Sequence, residues 1–257
     1  MRSRLVRGFV LSGGVCVLFL PRATAQLTDL YSVTVQPIIV YDDSGSNPAP
    51  GPPALDEQYV ATVWNQAQIS VTFLPANTFN SSNFQNIVNT TGSQGLLTLE
   101  GTSGNGQNAS PYVINMWFVN SITYSSSVAA GLTQGNGIAI AIPSSSGYPD
   151  VMAHEIGHAL GLDHNNYGAG TSAGSPPASE VIMTPTRTVP TSLSQVYPSG
   201  LLDQLTSAEI SVAQSSYLVS PVPELPATPL VAAAGLLAWG IIRWYRRSEP
   251  VATTVRD

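Results

Sequence analysis

Apolar and β-branched residues run almost unbroken through residues 31–41 (YSVTVQPIIVY), which predicts a first strand. A Pro/Gly/Ser-rich loop follows over 43–53. Within 55–68, Tyr59, Val60, Val63, Trp64 and Ala67 recur at helical spacing, and 69–74 then alternates as a strand. Residues 77–110 are polar and Gly-rich, and read as long loops with one short apolar piece at 96–99. Residues 112–119 and 137–142 read as strands, and 150–162 as a helix with Gly161 closing its end. Thr206-Ser-Ala-Glu209 has the form of a capping box, in which hydroxyl and carboxylate satisfy each other's backbone amides, and opens a last helix to about residue 217. This order predicts an α/β (α+β) domain with a mixed sheet. It does not specify which strands pair.

The two ends of the chain follow other patterns. Residues 1–7 are basic, 8–20 are apolar and Ala23-Thr24-Ala25 is a small-x-small site, the form of a secretory signal peptide cleaved after Ala25. The apolar run is too short to span a bilayer. Near the other end, residues 225–242 carry no charge and Arg243, Arg246 and Arg247 follow. That stretch is just long enough for a membrane helix, and its basic flank would stay cytoplasmic. The expected organisation is a signal peptide over 1–25, a main working domain over 26–218, a Pro-rich linker over 219–224, a membrane or sorting segment over 225–247 and a tail over 248–257. Such a chain is exported, with its domain outside the inner membrane.

Charge then removes one class of partner. Residues 26–222 hold a single basic residue, Arg187, and no lysine, against twelve Asp and Glu. So acidic a surface repels phosphate backbones, and nucleic acid is excluded as a partner. The one cysteine, Cys16, lies in the signal peptide, so the mature domain has no disulfide.

Candidate chemistry is concentrated in His154-Glu155-Ile156-Gly157-His158-Ala159-Leu160-Gly161-Leu162-Asp163-His164. On a helix, residues four apart share a face, so His154 and His158 can offer two imidazoles to one ion. Gly161 allows a sharp exit from the helix that can bring back His164 as a third ligand. Three protein nitrogens leave a fourth position open, the mark of a catalytic rather than a structural zinc site. Glu155, beside the first ligand, is placed to act as general base on a water. Any lone histidine is more often a core residue than a ligand. Here the chain has three histidines and all three occupy ligand positions, which reverses that expectation. No G-x-S-x-G is present, and a serine triad would need a further histidine.

The motif resembles that of the metzincin zinc peptidases. Val181-Ile182-Met183-Thr184-Pro185, nineteen residues after His164, is similar to the methionine turn that lies below the metal in that family. The Met-x-Pro form and the Ser/Pro-rich loop over 175–180 look most like the matrixins. The resemblance implies a mixed twisted sheet with an active-site helix, a second N-terminal helix and a C-terminal helix. It also implies one Zn2+, structural packing by Met183, and a protein or peptide substrate bound along an edge strand, matched here to 137–143. Gly157 would permit close packing over the active-site helix. The chain departs from the family in lacking a prodomain cysteine and the extra histidines of a structural zinc site. Pro185 stands where astacins and serralysins carry tyrosine. Calcium could meet Asp42, Asp43 or Asp150, although solvated surface is the plainer reading of each. Asp163 is either a supporting group at the site or a helix-end surface residue. The specificity pocket would be formed by 186–204. Val222-Pro223-Glu224-Leu225-Pro226 with the apolar and Arg-rich segments resembles the PEP-CTERM sorting signal of Gram-negative bacteria, which implies an exosortase-type processing enzyme.

The reading is an extracytoplasmic zinc endopeptidase with Glu155 as general base. The alternative is a zinc-stabilised surface or matrix protein with little turnover, suggested by the Ser/Thr/Asn-rich composition. A polysaccharide-binding module has composition alone behind it.

Overall fold

A computed structural model describes residues 30–142, 148–165, 167–170, 174–184 and 188–223. The expected signal peptide (1–25), the membrane or sorting segment (225–247) and the tail (248–257) lie outside the described residues. Within them, no helix is long and apolar enough to cross a membrane.

The sheet is built around β1 (Tyr31–Tyr41), which pairs in parallel with β5 (Val113–Val119). β5 pairs in parallel with β9 (Gly137–Ala141), and β8 (Gly131–Gln134) closes that side as an antiparallel edge. On its other side β1 is covered in tandem by β2 (Ile69–Phe73) and β3 (Asn77–Asn80), both parallel to it. Pro37 sits in the middle of this central strand although proline cannot donate to a ladder. The tandem cover explains its place. The Val35 carbonyl accepts from the Leu74 amide, so Pro37, two residues on, turns its backbone to the same edge, where β2 has ended and β3 has not begun. There the Gln36 amide donates to the carbonyls of Pro75 at 2.8 Å and Pro37 at 3.0 Å.

Because side chains alternate along a strand, a sheet buried on both faces needs two cores, and its strands read as continuous apolar runs. β5 (VINMWFV) is buried at every position. Ile114, Met116 and Phe118 face one core with Val33, Val35, Ile138 and Ile140, and Trp117 and Val119 face the other with Ile38, Val40, Ala139 and Ala141. The first core is closed by α1 (Ala54–Asn65), through Tyr59, Val60, Val63 and Trp64, and by α3 (Val151–Ala159). The second is closed by residues expected to be loop. Phe79, Phe84, Ile87, Leu96 and Leu99 come from β3, a 3-10 turn, β4 (Asn86–Val88) and α2 (Leu96–Glu100). Apart from the short apolar piece at 96–99, these residues are scattered through polar sequence with no sustained period, so only the opposite face of the sheet defines the layer. β4 belongs to a small second sheet with β6 (Ser121–Tyr124) and β7 (Ser127–Ala129).

Several element ends differ from expectation for local reasons. α1 stops at Asn65 rather than 68, because Gln68 adopts φ 55 and turns the chain into β2. α3 stops at Ala159, and Gly161, at φ 95, donates to the His158 carbonyl while Leu162 donates to that of Gly157. That pair of bonds is a Schellman end, whose left-handed residue is glycine at little steric cost. The last helix, α4 (Ser207–Gln214), carries the expected capping box: the Thr206 hydroxyl accepts from the Glu209 amide, and the Glu209 carboxylate accepts from the Thr206 amide. β10 (Ser220–Pro221) then returns antiparallel to the start of β1.

The resemblance-based assignment of the edge strand is corrected. β9 lies between β5 and β8 and is wholly buried, and the exposed edge is β8. Gly137-Ile-Ala-Ile-Ala141 is apolar at every position, as a doubly covered strand must be, whereas β8 (GLTQ) is only partly buried.

Glu209 is fully buried. Burial pushes its carboxyl up to about 7, with the Thr206 and Met183 amides drawing the other way. A carboxyl raised in the folded state holds its proton there when the unfolded chain has lost it. Stability from this group is therefore present below the unfolded value of 4.5 and lost as pH rises through about 7. Urea unfolding of the chelator-treated protein at pH 5 and pH 8 will show the wild type losing on the order of 2–3 kcal/mol more than Glu209→Gln over that interval.

Candidate metal centre

α3 places His154 and His158 one turn apart on a common face, with ring centroids 4.8 Å apart. The Schellman end turns the chain at Gly161, and His164 comes back over the same spot. Its Nε2 lies 2.9 Å from Nε2 of His154 and 3.1 Å from Nε2 of His158. His154 is buried, His158 half-buried and His164 exposed, so the cluster runs from the core to the cleft. The structure thus brings together all three histidines singled out by spacing.

The outer nitrogens decide which way the lone pairs point. Nδ1 of His154 is 2.8 Å from the Ile182 carbonyl, and Nδ1 of His158 is 2.7 Å from the Leu162 carbonyl. A carbonyl only accepts, so in each ring the proton sits on Nδ1 and Nε2 turns a lone pair inward. Both lone pairs are turned towards Nε2 of His164, 2.9 and 3.1 Å away, where a cation could accept all three nitrogens. Zinc–nitrogen bonds of about 2.0–2.1 Å separate tetrahedral ligands by about 3.3 Å, so the cluster need open only by tenths of an ångström to hold the ion. The donor set fits Zn2+. Among the described residues no second group of three such side chains converges.

Beneath the histidines runs the turn Val181–Thr184, fixed by Val181 bridging to Gln204 and by the Ile182 amide donating to the Gln204 carbonyl at 3.2 Å. Met183 is fully buried, and a Cβ added to Gly157 would lie 2.5 Å from its sulfur. Gly157, immediately before His158 on the helix, thus allows the close packing expected of it, and Met183 occupies the space. The same turn supplies the carbonyl that orients His154. Pro185, on which the Met-x-Pro likeness depends, lies outside the described residues, as do 186 and 187 of the expected specificity loop.

Glu155 reaches β8, where the Thr133 hydroxyl donates to its carboxylate. It is buried and shares with His158 and His164 a cleft of about 510 Å³ bordered by Tyr124 and by β8. Tyr167 escaped the sequence reading: its hydroxyl accepts from the Asp163 amide at 2.7 Å and braces the turn that carries His164. Tyr167 lies in a polar, Gly-rich loop with no period to mark it. Asp163 itself is exposed.

The acids considered for calcium are otherwise engaged. Asp42 accepts from Ser44, Ser46 and Asn47, which hold its carboxyl well below the usual range, and Asp43 accepts from the Ser82 amide. Asp150 is not the solvated residue expected, but is wholly buried at the start of α3; burial first, and the nearby Asp150 charge second, raise the carboxyl of Asp56 to about 6.

Three imidazole nitrogens, with an ionisable carboxylate beside them in an open cleft, form a site of the class that hydrolyses substrates with a metal. Residues 76–200, which include the three histidines, Glu155 and Met183, match the family described as Metallo-peptidase family M12B Reprolysin-like. A solved structure similar to the chain is a zinc-dependent peptidase from Methanocorpusculum labreanum (strain Z), at 12% identity and a TM-score of 0.38, over 70% of this chain and 98% of that one. So distant a likeness bears on nothing further. No curated protein matches the chain significantly. The family match and the histidine cluster together support a zinc-dependent peptidase.

Gly157→Ala tests the packing under the site. Alanine favours a helix by about 1 kcal/mol over glycine, but overpacking a filled core costs about 1–3 kcal/mol. With Met183 fully enclosed the second effect wins, and thermal unfolding will show Gly157→Ala less stable than wild type.

Proposed function

We propose that the chain is an extracytoplasmic zinc endopeptidase of the metzincin class, matrixin-like in its methionine turn, that cleaves extended polypeptides. The observation that carries this reading is the convergence of three Nε2 atoms in a cleft that also holds the Glu155 carboxylate and is bordered by the open strand β8. Zinc, when bound, polarises a peptide carbonyl and lowers the pKa of water towards about 7. The chain's own residues supply the rest. His154 and His158 are held in one tautomer by Ile182 and Leu162, so their lone pairs are aimed before any ion arrives. Glu155 takes a proton from the attacking water and passes it to the leaving amine. A substrate strand lying along β8 would find unpaired backbone groups there.

Export and anchoring belong to the same proposal. Residues 1–25 direct secretion, and 225–247 serve as membrane anchor or as a sorting signal removed by an exosortase-type enzyme. N-terminal sequencing of protein recovered from a Gram-negative host will find a chain beginning near Gln26; a start at Met1 would overturn the export reading.

The catalytic reading is tested on the full-length chain loaded with zinc, with a mixed peptide library and mass spectrometry of the products. Wild type will cleave, and chelator will abolish cleavage. Glu155→Gln will retain stoichiometric zinc and lose about 10²–10⁴-fold in rate. Stoichiometric zinc without cleavage in wild type would favour a zinc-stabilised surface protein instead. Failure to bind zinc would refute both.

A further inference from the structure

The exposed edge strand touches the site at two positions that the three histidines do not involve. Gly131 and Thr133, two residues apart in β8, face the same side of the sheet. Their partners across the ladder, Ile140 and Ile138, belong to the core closed by α3, whereas Leu132 between them packs on the opposite core. A strand position facing a helix layer ordinarily carries an apolar side chain. Thr133 instead carries a hydroxyl, 2.5 Å from Oε2 of Glu155 and 3.2 Å from the Glu155 carbonyl. One hydroxyl has one proton, and the shorter, charge-assisted contact takes it. At Gly131 a Cβ would lie 2.5 Å from both Oε1 and Cγ of Glu155. Gly131 is not among the residues with left-handed backbone, so space rather than conformation accounts for the glycine.

We propose that Thr133 is a positioning residue for Glu155, holding its carboxylate in one orientation beside the metal centre, and that Gly131 is glycine because that carboxylate occupies the place of its side chain. This rests on the catalytic reading above and adds to it where the general base is held. A carboxylate released from the hydroxyl would spread over other rotamers, and each turnover would wait on the productive one. Substrate lying along β8 would still bind, so the loss falls on kcat rather than KM.

The test uses the full-length chain loaded with zinc. Thr133→Val keeps the shape and removes the donor; Thr133→Ser keeps the donor; Gly131→Ala puts a methyl group against the carboxylate. Thr133→Val and Gly131→Ala are expected to lower kcat by about 10–100-fold with KM changed less than about 3-fold and zinc content unaltered. Thr133→Ser is expected to recover most of kcat, which a merely structural role would not produce. A second readout needs no turnover. In the zinc-free protein, a double-mutant cycle of Thr133→Val and Glu155→Met, which removes both acceptor oxygens, is expected to show coupling of about 5–30-fold in the unfolding equilibrium constant. Wild-type kcat in Thr133→Val, or coupling within about 2-fold of none, would overturn the proposal while the peptidase reading stands. An inactive wild type with full coupling would overturn the general-base role and leave the contact itself intact.

Discussion

Two helical imidazoles held with their lone pairs turned towards a third ring form an arrangement that no short peptide would keep. The domain stabilises it from the outside. Each helical histidine is fixed by a carbonyl on its far nitrogen, and each carbonyl comes from a different device: the Schellman end of α3 for His158, the methionine turn for His154. His164 depends on the same helix end and on the brace that Tyr167 provides. A hydrogen-bonded ring is held from rotating away from its neighbours. An ion held by these nitrogens would add its binding energy to the folding of the segment.

The layer below the histidines extends this logic inward. Gly157 has no side chain and Met183 fills the gap, which draws the turn close enough for Ile182 to reach His154. Under that turn the capping box of α4 buries Glu209, whose carboxyl is raised because it has lost water without gaining a cation. The domain is acidic and all but without basic residues, and the carboxyls of buried Asp56 and Glu209 and half-buried Glu100 are lifted by burial.

What could be read in advance followed from locality. The capping box, the helix of the histidines and the return of His164 rest on residues within about ten positions of one another, and their geometry is close to what spacing alone implies. The first core was equally plain, since β1 and β5 are strong apolar runs and α1 has a helical period. The second core was not, because Phe79, Phe84, Ile87, Leu96 and Leu99 acquire a common face only by meeting the far side of the sheet. The edge strand was misassigned for a related reason: GLTQ carries little hydrophobic signal beside GIAIA, although low hydrophobicity is what an exposed edge requires. Tyr167 left no trace in the pattern, since a single hydroxyl bracing a loop has no period at all.

β10 lies against the first residues of β1, and the Val222 amide donates to the Leu30 carbonyl at 2.9 Å. The polypeptide therefore enters and leaves the sheet at one point. β8 lies three strands from that point, about 14 Å across the sheet at normal strand spacing. Both ends of the described residues thus lie on the side of the sheet away from β8, and neither stands in front of the open rim.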